Sequence, residues 1–169
     1  ASGDLDADGK CDLVVSNMGD SSVSVYRNTT TGSSISFSAS ANYRTGKQPA
    51  WVSVADLNGD LKPEIITANF ESNTCSVFRN TSSVNNVSFS DKVDFATGPE
   101  PKSISIADLD GDQENDIVIA NGGANYISVF LNNHSGGNIS FAPKTDHMID
   151  VMPDTRTITV TSGDVDGDG

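Results

Sequence analysis

Four carboxylates stand at positions 1, 3, 5 and 9 of the nonapeptide Asp108-Leu109-Asp110-Gly111-Asp112-Gln113-Glu114-Asn115-Asp116. Like carboxylates held within a few Å raise one another's pKa values unless something cancels their charge. A bound cation is the simplest remedy. Oxygen donors without Cys or His call for a hard ion, and five to seven oxygens gathered from a flexible loop suit Ca²⁺ better than the strict octahedron of Mg²⁺. The chain repeats the layout as Asp4-Leu5-Asp6-Ala7-Asp8-Gly9-Lys10-Cys11-Asp12 and Asp56-Leu57-Asn58-Gly59-Asp60-Leu61-Lys62-Pro63-Glu64. A shorter copy follows as Asp164-Val165-Asp166-Gly167-Asp168-Gly169.

The elements that must hold these loops repeat with them. The first residues of successive loops lie 52, 52 and 56 positions apart, and a period near 50 indicates a solenoid or a propeller. Val14-Val15-Ser16-Asn17 matches Ile66-Thr67-Ala68-Asn69 and Val118-Ile119-Ala120-Asn121 at that offset. Val23-Ser24-Val25-Tyr26 has counterparts in Cys75-Ser76-Val77-Phe78 and Ile127-Ser128-Val129-Phe130. Each unit reads as four short strands. The first is an alternating run before the acidic loop, such as Trp51-Val52-Ser53-Val54-Ala55 or Ser103-Ile104-Ser105-Ile106-Ala107. An apolar run follows the loop, then a second alternating run ending in an aromatic, then a fourth strand expected around Phe37, Phe89 or Phe141. Turn-rich segments such as Gly19-Asp20-Ser21 and Ser135-Gly136-Gly137-Asn138 separate them. The expected fold is all-β: propeller blades, each a four-stranded antiparallel repeat, with the first and most uniformly apolar strand lining the axis.

The acidic loop then joins the first and second strands of a blade. An EF-hand needs flanking helices and a bidentate Glu at position 12, where this chain has Val15, Thr67 or Ile119. With the Thr-Gly-x-x-Pro approach to the first strand (Thr45 to Pro49, Thr97 to Pro101), the units resemble FG-GAP/VCBS repeats, the blades of integrin-α-type β-propellers. The resemblance covers nearly the whole chain. It implies Ca²⁺ held by side-chain oxygens at positions 1, 3, 5 and 9 and by the main-chain carbonyl at position 7. The implied side-chain ligands are Asp4, Asp6, Asp8 and Asp12; Asp56, Asn58, Asp60 and Glu64; and Asp108, Asp110, Asp112 and Asp116, with Asp164, Asp166 and Asp168 in the short copy. Lys10, Lys62 and Glu114 would give carbonyls. Asn58 offers a neutral oxygen, which implies a weaker site, and Glu64 is one methylene longer than Asp.

By blade, the chain divides into a partial blade over residues 1–48, whole blades over 49–100 and 101–154, and a first strand with a partial loop over 155–169. The first blade is expected to supply strands two to four, and a lone first strand is expected near Thr157 to Ser162. Three blades do not close a propeller, which takes about four to eight. Either the remaining blades belong to the same polypeptide, or two copies associate head to tail into a six-bladed ring. Four extra residues around Asp146-His147-Met148-Ile149-Asp150-Val151-Met152 suggest an enlarged loop on the rim.

Composition narrows the function. A net charge of −13 argues against nucleic acid and anionic membrane surfaces as partners, and no apolar run approaches the roughly 18 residues of a membrane span. Cys11 and Cys75 fall at different positions of their repeats, so a disulfide framework is not expected. Cys75 reads as a small core residue, Trp51 as a packing residue with a sugar-stacking platform as the alternative, and His134 and His147 as incidental surface residues. No catalytic constellation is evident. The reading is an extracellular or cell-surface module, calcium-stabilised, for adhesion, binding of a protein or glycan ligand, or scaffolding. The alternatives are a propeller within a secreted polysaccharide-degrading enzyme and a purely structural repeat of a large surface protein. Sequons at Asn28, Asn80, Asn86, Asn133 and Asn138 fit an exported chain.

Overall fold

The computed structural model describes residues 1–39, 41–149 and 159–163. The described strands form three four-stranded antiparallel sheets, each a meander in chain order. The first blade holds β1 (Ser2–Gly3), β2 (Asp12–Asn17), β3 (Ser22–Tyr26) and β4 (Ala41–Arg44). The second holds β5 (Pro49–Ala55), β6 (Glu64–Asn69), β7 (Thr74–Phe78) and β8 (Val93–Ala96). The third holds β9 (Pro101–Ala107), β10 (Asp116–Asn121), β11 (Tyr126–Phe130) and β12 (Thr145–Met148). These are β-propeller blades, and among the described residues each of the three acidic loops connects a first strand to a second.

The repeated side chains make one interface twice. One face of the second blade, with Leu57, Ile66, Ala68, Cys75 and Val77, packs on Ile104, Ile117, Ile119 and Phe130 of the third. At the preceding junction Leu5, Val14, Val23 and Val25 meet Ile65, Phe78 and Phe89. Edge-to-face aromatic pairs seal both junctions, with Tyr43 against Phe89 and Phe95 against Phe141, at 5.4 and 5.0 Å between ring centroids. Cys75 is buried in this core as expected, and burial pushes its thiol up, away from the thiolate a nucleophile needs.

The approach to each first strand needs its glycine. A Cβ on Gly46 would lie 2.7 Å from Asn69 Nδ2, and one on Gly98 would lie 2.5 Å from Asn121 Cγ. Those asparagines head a polar ladder that crosses each blade. Asn69 donates to Ser76 Oγ (2.8 Å), which donates to Asp94 Oδ1 (2.6 Å). Asn121, Ser128 and Asp146 repeat the arrangement, as do Asn17, Ser24 and Asn42.

That ladder overturns one expectation. The fourth strands are Ala41–Arg44, Val93–Ala96 and Thr145–Met148, not the segments around Phe37, Phe89 and Phe141. Serine hydroxyls of the third strands hold the fourth through Asn42, Asp94 and Asp146, so its edge is polar where an apolar pattern was sought. The phenylalanines instead sit in a small excursion before it, bridged to Asn28, Asn80 and Asn132. Of the segment expected as an enlarged loop, Asp146, His147 and Met148 belong to the regular strand Thr145–Met148, and residues 150–152 lie outside the described residues.

Three further differences concern the first strands. The first blade does contain one, the two-residue β1, with Ser2 opposite Leu13 and Gly3 opposite Asp12. The most buried strands are the second ones, β6 and β10: β6 lies between the first and third sheets and β10 packs one face on the second, whereas β5 is only partly covered. Finally, residues 159–163 form no ladder. They run beside β9, where Val160 and Ser162 N–H groups donate to Ser103 and Ser105 hydroxyls, both at 2.9 Å. Residues 157 and 158 lie outside the described residues.

Candidate metal centres

The loops are built alike from backbone donors upward. The position-1 carboxylate gathers N–H groups ahead of it: Gly9 to Asp4 (2.9 Å), Gly59 and Leu61 to Asp56 (2.9 and 2.7 Å), and Gly111 and Gln113 to Asp108 (2.7 and 2.8 Å). The position-5 carboxylate accepts from position 7, with Lys10 to Asp8 at 2.9 Å, Lys62 to Asp60 at 3.0 Å and Glu114 to Asp112 at 2.9 Å. Left-handed backbone at positions 4 and 6 permits this winding, even where Leu61 and Gln113 carry it without being glycine.

Position 9 does something different. Asp12 accepts from Leu5 N–H (2.9 Å) and Asn28 N–H (2.7 Å), and Asp116 accepts from Leu109 N–H (2.8 Å) and Asn132 N–H (2.7 Å). Glu64 accepts from Leu57 N–H (2.8 Å) and Asn80 N–H (3.2 Å). All three acids are buried, so this residue ties the loop to the far end of the third strand as well as facing the loop interior. The asparagines it meets were missed as structural residues. Asn80 Nδ2 donates to Leu5 O of the preceding blade and to Pro63 O of its own loop, both at 2.9 Å, and Asn132 does the same to Leu57 O and Asn115 O. Their recurrence at the 52-residue offset was the available signal, obscured because Asn28 and Asn80 also read as sequons. Asn80 is buried with its amide nitrogen engaged, which leaves no room for a glycan there.

In the first loop one carboxylate oxygen from each of Asp4, Asp6 and Asp8 comes within 4.8 Å of the others, and in the third loop Asp108, Asp110 and Asp116 do so. Oxygens 2.3–2.6 Å from a shared Ca²⁺ would lie within about that distance of each other. Asp12 and Asp112 are outside these tightest groups. Asp6 is the telling residue: it is 2% exposed, and neither of its carboxylate oxygens has a hydrogen-bond partner. Burial raises its pKa, and the Asp8 and Asp12 charges raise it further, while the nearby Asp8 N–H, outside hydrogen-bond geometry, and Arg27, 3.8 Å away, give only partial relief. Asp110 is likewise raised, by desolvation and by Asp112 and Asp116. Asp108, by contrast, is lowered, chiefly by the Gln113 N–H, and Asp8 by its bond to Lys10. A carboxylate group so arranged can hold a metal ion, and its all-oxygen donors fit a hard one.

The second loop is internally satisfied. Asn58 Nδ2 donates to Glu64 Oε1 (3.2 Å) and Asn58 Oδ1 accepts from Asp60 N–H (3.0 Å). Burial pushes the Glu64 carboxyl up to about 7, so it carries only part of a charge near neutrality. Lys62 turns its ammonium away to Ser82 O at 2.8 Å. Asp164, Asp166 and Asp168 lie outside the described residues. Of the two histidines, His147 is exposed on β12, but His134 is half-buried, its Nδ1 3.1 Å from Glu114 Oε2 and its ring against Gly59 of the preceding loop.

Meander blades stacked through repeated apolar faces, each with an acidic loop between its first two strands, define a β-propeller repeat protein. The FG-GAP-like repeat profile matches residues 4–67 and 108–169, and the chain belongs to that family. No curated protein matches it. Among the described residues no helix is long and apolar enough to cross a membrane, which says nothing of membrane β-barrels.

Proposed function

We propose that the chain is a Ca²⁺-stabilised β-propeller module of an extracellular or cell-surface protein, non-enzymatic, serving adhesion, ligand binding or scaffolding. The observation that carries the calcium reading is Asp6, buried with both oxygens unbonded beside Asp4 and Asp8. An isolated buried carboxylate is costly, and a dication among three of them removes the cost. The side chains of Asp4, Asp6, Asp8 and Asp12 would hold one ion with the Lys10 carbonyl, and those of Asp108, Asp110, Asp112 and Asp116 another with the Glu114 carbonyl. Asp56, Asn58, Asp60, Glu64 and the Lys62 carbonyl would form a weaker site, because Asn58 and Glu64 already bond each other. The ions would be structural, each pinning an inter-strand turn and coupling folding to metal by mass action. External millimolar Ca²⁺ saturates even sites of about 10⁻⁴–10⁻³ M, which favours the extracellular reading.

The outer faces support association with further blades, in the same polypeptide or head to tail with a second copy. Leu13, Val15 and Phe37 are exposed on the first blade, whereas their counterparts Ile65, Thr67 and Phe89 are buried by the preceding blade. At the other end Leu109 is 45% exposed, whereas Leu5 and Leu57, which occupy the same loop position, are at 1% and 0%. Thermal melts in millimolar Ca²⁺ and in chelator test the calcium reading. A higher melting temperature with Ca²⁺ is expected, and coincident melts would refute it.

A further inference from the structure

At the end of the blades away from the acidic loops the repeats stop resembling one another. Ala50 of β5 corresponds to Lys102 of β9, and Trp51 to Ser103. The residue following each second strand is Met18, Phe70 or Gly122. Together Met18, Trp51, Phe70 and Lys102 wall a mostly apolar open pocket of about 470 Å³.

Two features give this pocket a chemistry. Trp51, expected to pack, is 41% exposed, and its Nε1–H donates to Ser53 Oγ of its own strand at 3.1 Å. The indole face is thus offered to solvent while its polar edge is occupied. The cation is positioned too. Lys102 Nζ lies 5.8 Å from the Phe70 ring centroid. Its stem crosses Gly122 so closely that a Cβ there would come within 2.5 Å of Lys102 Cε and Cδ, so the glycine leaves the room that Met18 and Phe70 fill in the other repeats. Among the described residues no carboxylate pairs with this ammonium, in a chain of net charge −13. Glu71, beside the neighbouring hollow, is already held by Lys47 at 3.4 Å and Gln48 at 2.9 Å.

An aromatic platform beside an unpaired cation is complementary to a ring with one apolar face and a carboxylate. We infer that this pocket binds an acidic glycan, a uronate pyranose stacking its C–H face on Trp51 and placing its carboxylate on Lys102. The inference deepens the ligand-binding reading above by naming the ligand class.

Trp51 is the only tryptophan of the chain, so its fluorescence reports the pocket alone. The test titrates the Ca²⁺-loaded chain with trigalacturonate and, separately, with its neutral methyl ester. A saturable change in emission is expected with the acid, at about tenfold higher affinity than with the ester. Lys102→Gln should bring the acid's affinity down to the ester's, which it leaves unchanged, at an unaltered melting temperature. No response to either sugar, equal affinity for both, or an unchanged preference in Lys102→Gln would overturn the inference. Because the pocket is remote from the acidic loops, a chain whose melt responds to Ca²⁺ but whose Trp51 ignores trigalacturonate loses only this assignment.

Discussion

Among the loop acids, position in the nonapeptide decides whether a carboxylate is structural with or without metal. Asp116 spends both oxygens on backbone N–H groups, from Leu109 and Asn132. Asp116→Asn must turn an NH₂ toward one of these buried donors. It should therefore destabilise the chain by about 1–3 kcal/mol even in chelator, read by urea unfolding. Glu64 makes a pH prediction. Its folded pKa of about 7 lies above its ordinary value of 4.5, chiefly through burial. The folded state therefore binds the proton more tightly than the unfolded state does. Glu64's contribution is full below about 4.5 and is lost as pH rises through about 7, with a slope of up to about 1.4 kcal/mol per pH unit. Lowered groups such as Asp8 and Asp108 slope the other way, so the quantity to measure is the difference between wild type and Glu64→Gln in chelator. Wild type should lose stability relative to the variant between pH 5 and 7, and parallel curves would contradict the assignment.

Each blade is coupled to the next at its acidic loop. Asn132 donates to Leu57 O of the preceding loop and Asn115 O of its own, while its N–H bonds Asp116. Asn132→Ala should lower stability by about 2–3 kcal/mol and weaken Ca²⁺ binding at the third loop, measured by melts across a calcium series. The three complete loops, the period, and the first three strands of the second and third blades were legible in the sequence because they combine a fixed acidic pattern with apolar runs, whereas the two-residue β1 of the first blade is too short to carry such a pattern. The fourth strand was not. Asn42, Asp94 and Asp146 are held by buried serine hydroxyls, and such a strand has no apolar stripe to announce it. Nor could the period alone reveal that Phe89 and Phe141 pack at blade junctions from outside the strands. For the site, residue types showed which acids share a loop. They did not show that Asn58 closes on Glu64, or that Asp6 is the oxygen pair left unbonded.

For the whole molecule, the two junctions show what an outer face is shaped to meet. The first blade presents Leu13, Val15 and Phe37, and the third presents Leu109, the residue that elsewhere plugs the next blade's core. Light scattering of the chain alone in Ca²⁺ should find a discrete dimer if copies close head to tail. A Leu13→Lys/Val15→Lys variant should then be monomeric at unchanged secondary structure. A clean wild-type monomer would exclude the ring and leave those faces to blades of the same polypeptide. The central claim, that the first and third loops are metal centres, is tested most directly by calorimetric Ca²⁺ titration of the chain and its Asp6→Asn/Asp110→Asn variant. Wild type should bind Ca²⁺ with dissociation constants at or below about 10⁻³ M, and the variant should lose the two tightest equivalents while keeping its circular dichroism spectrum. No binding at millimolar Ca²⁺, or the same stoichiometry in both proteins, would contradict it.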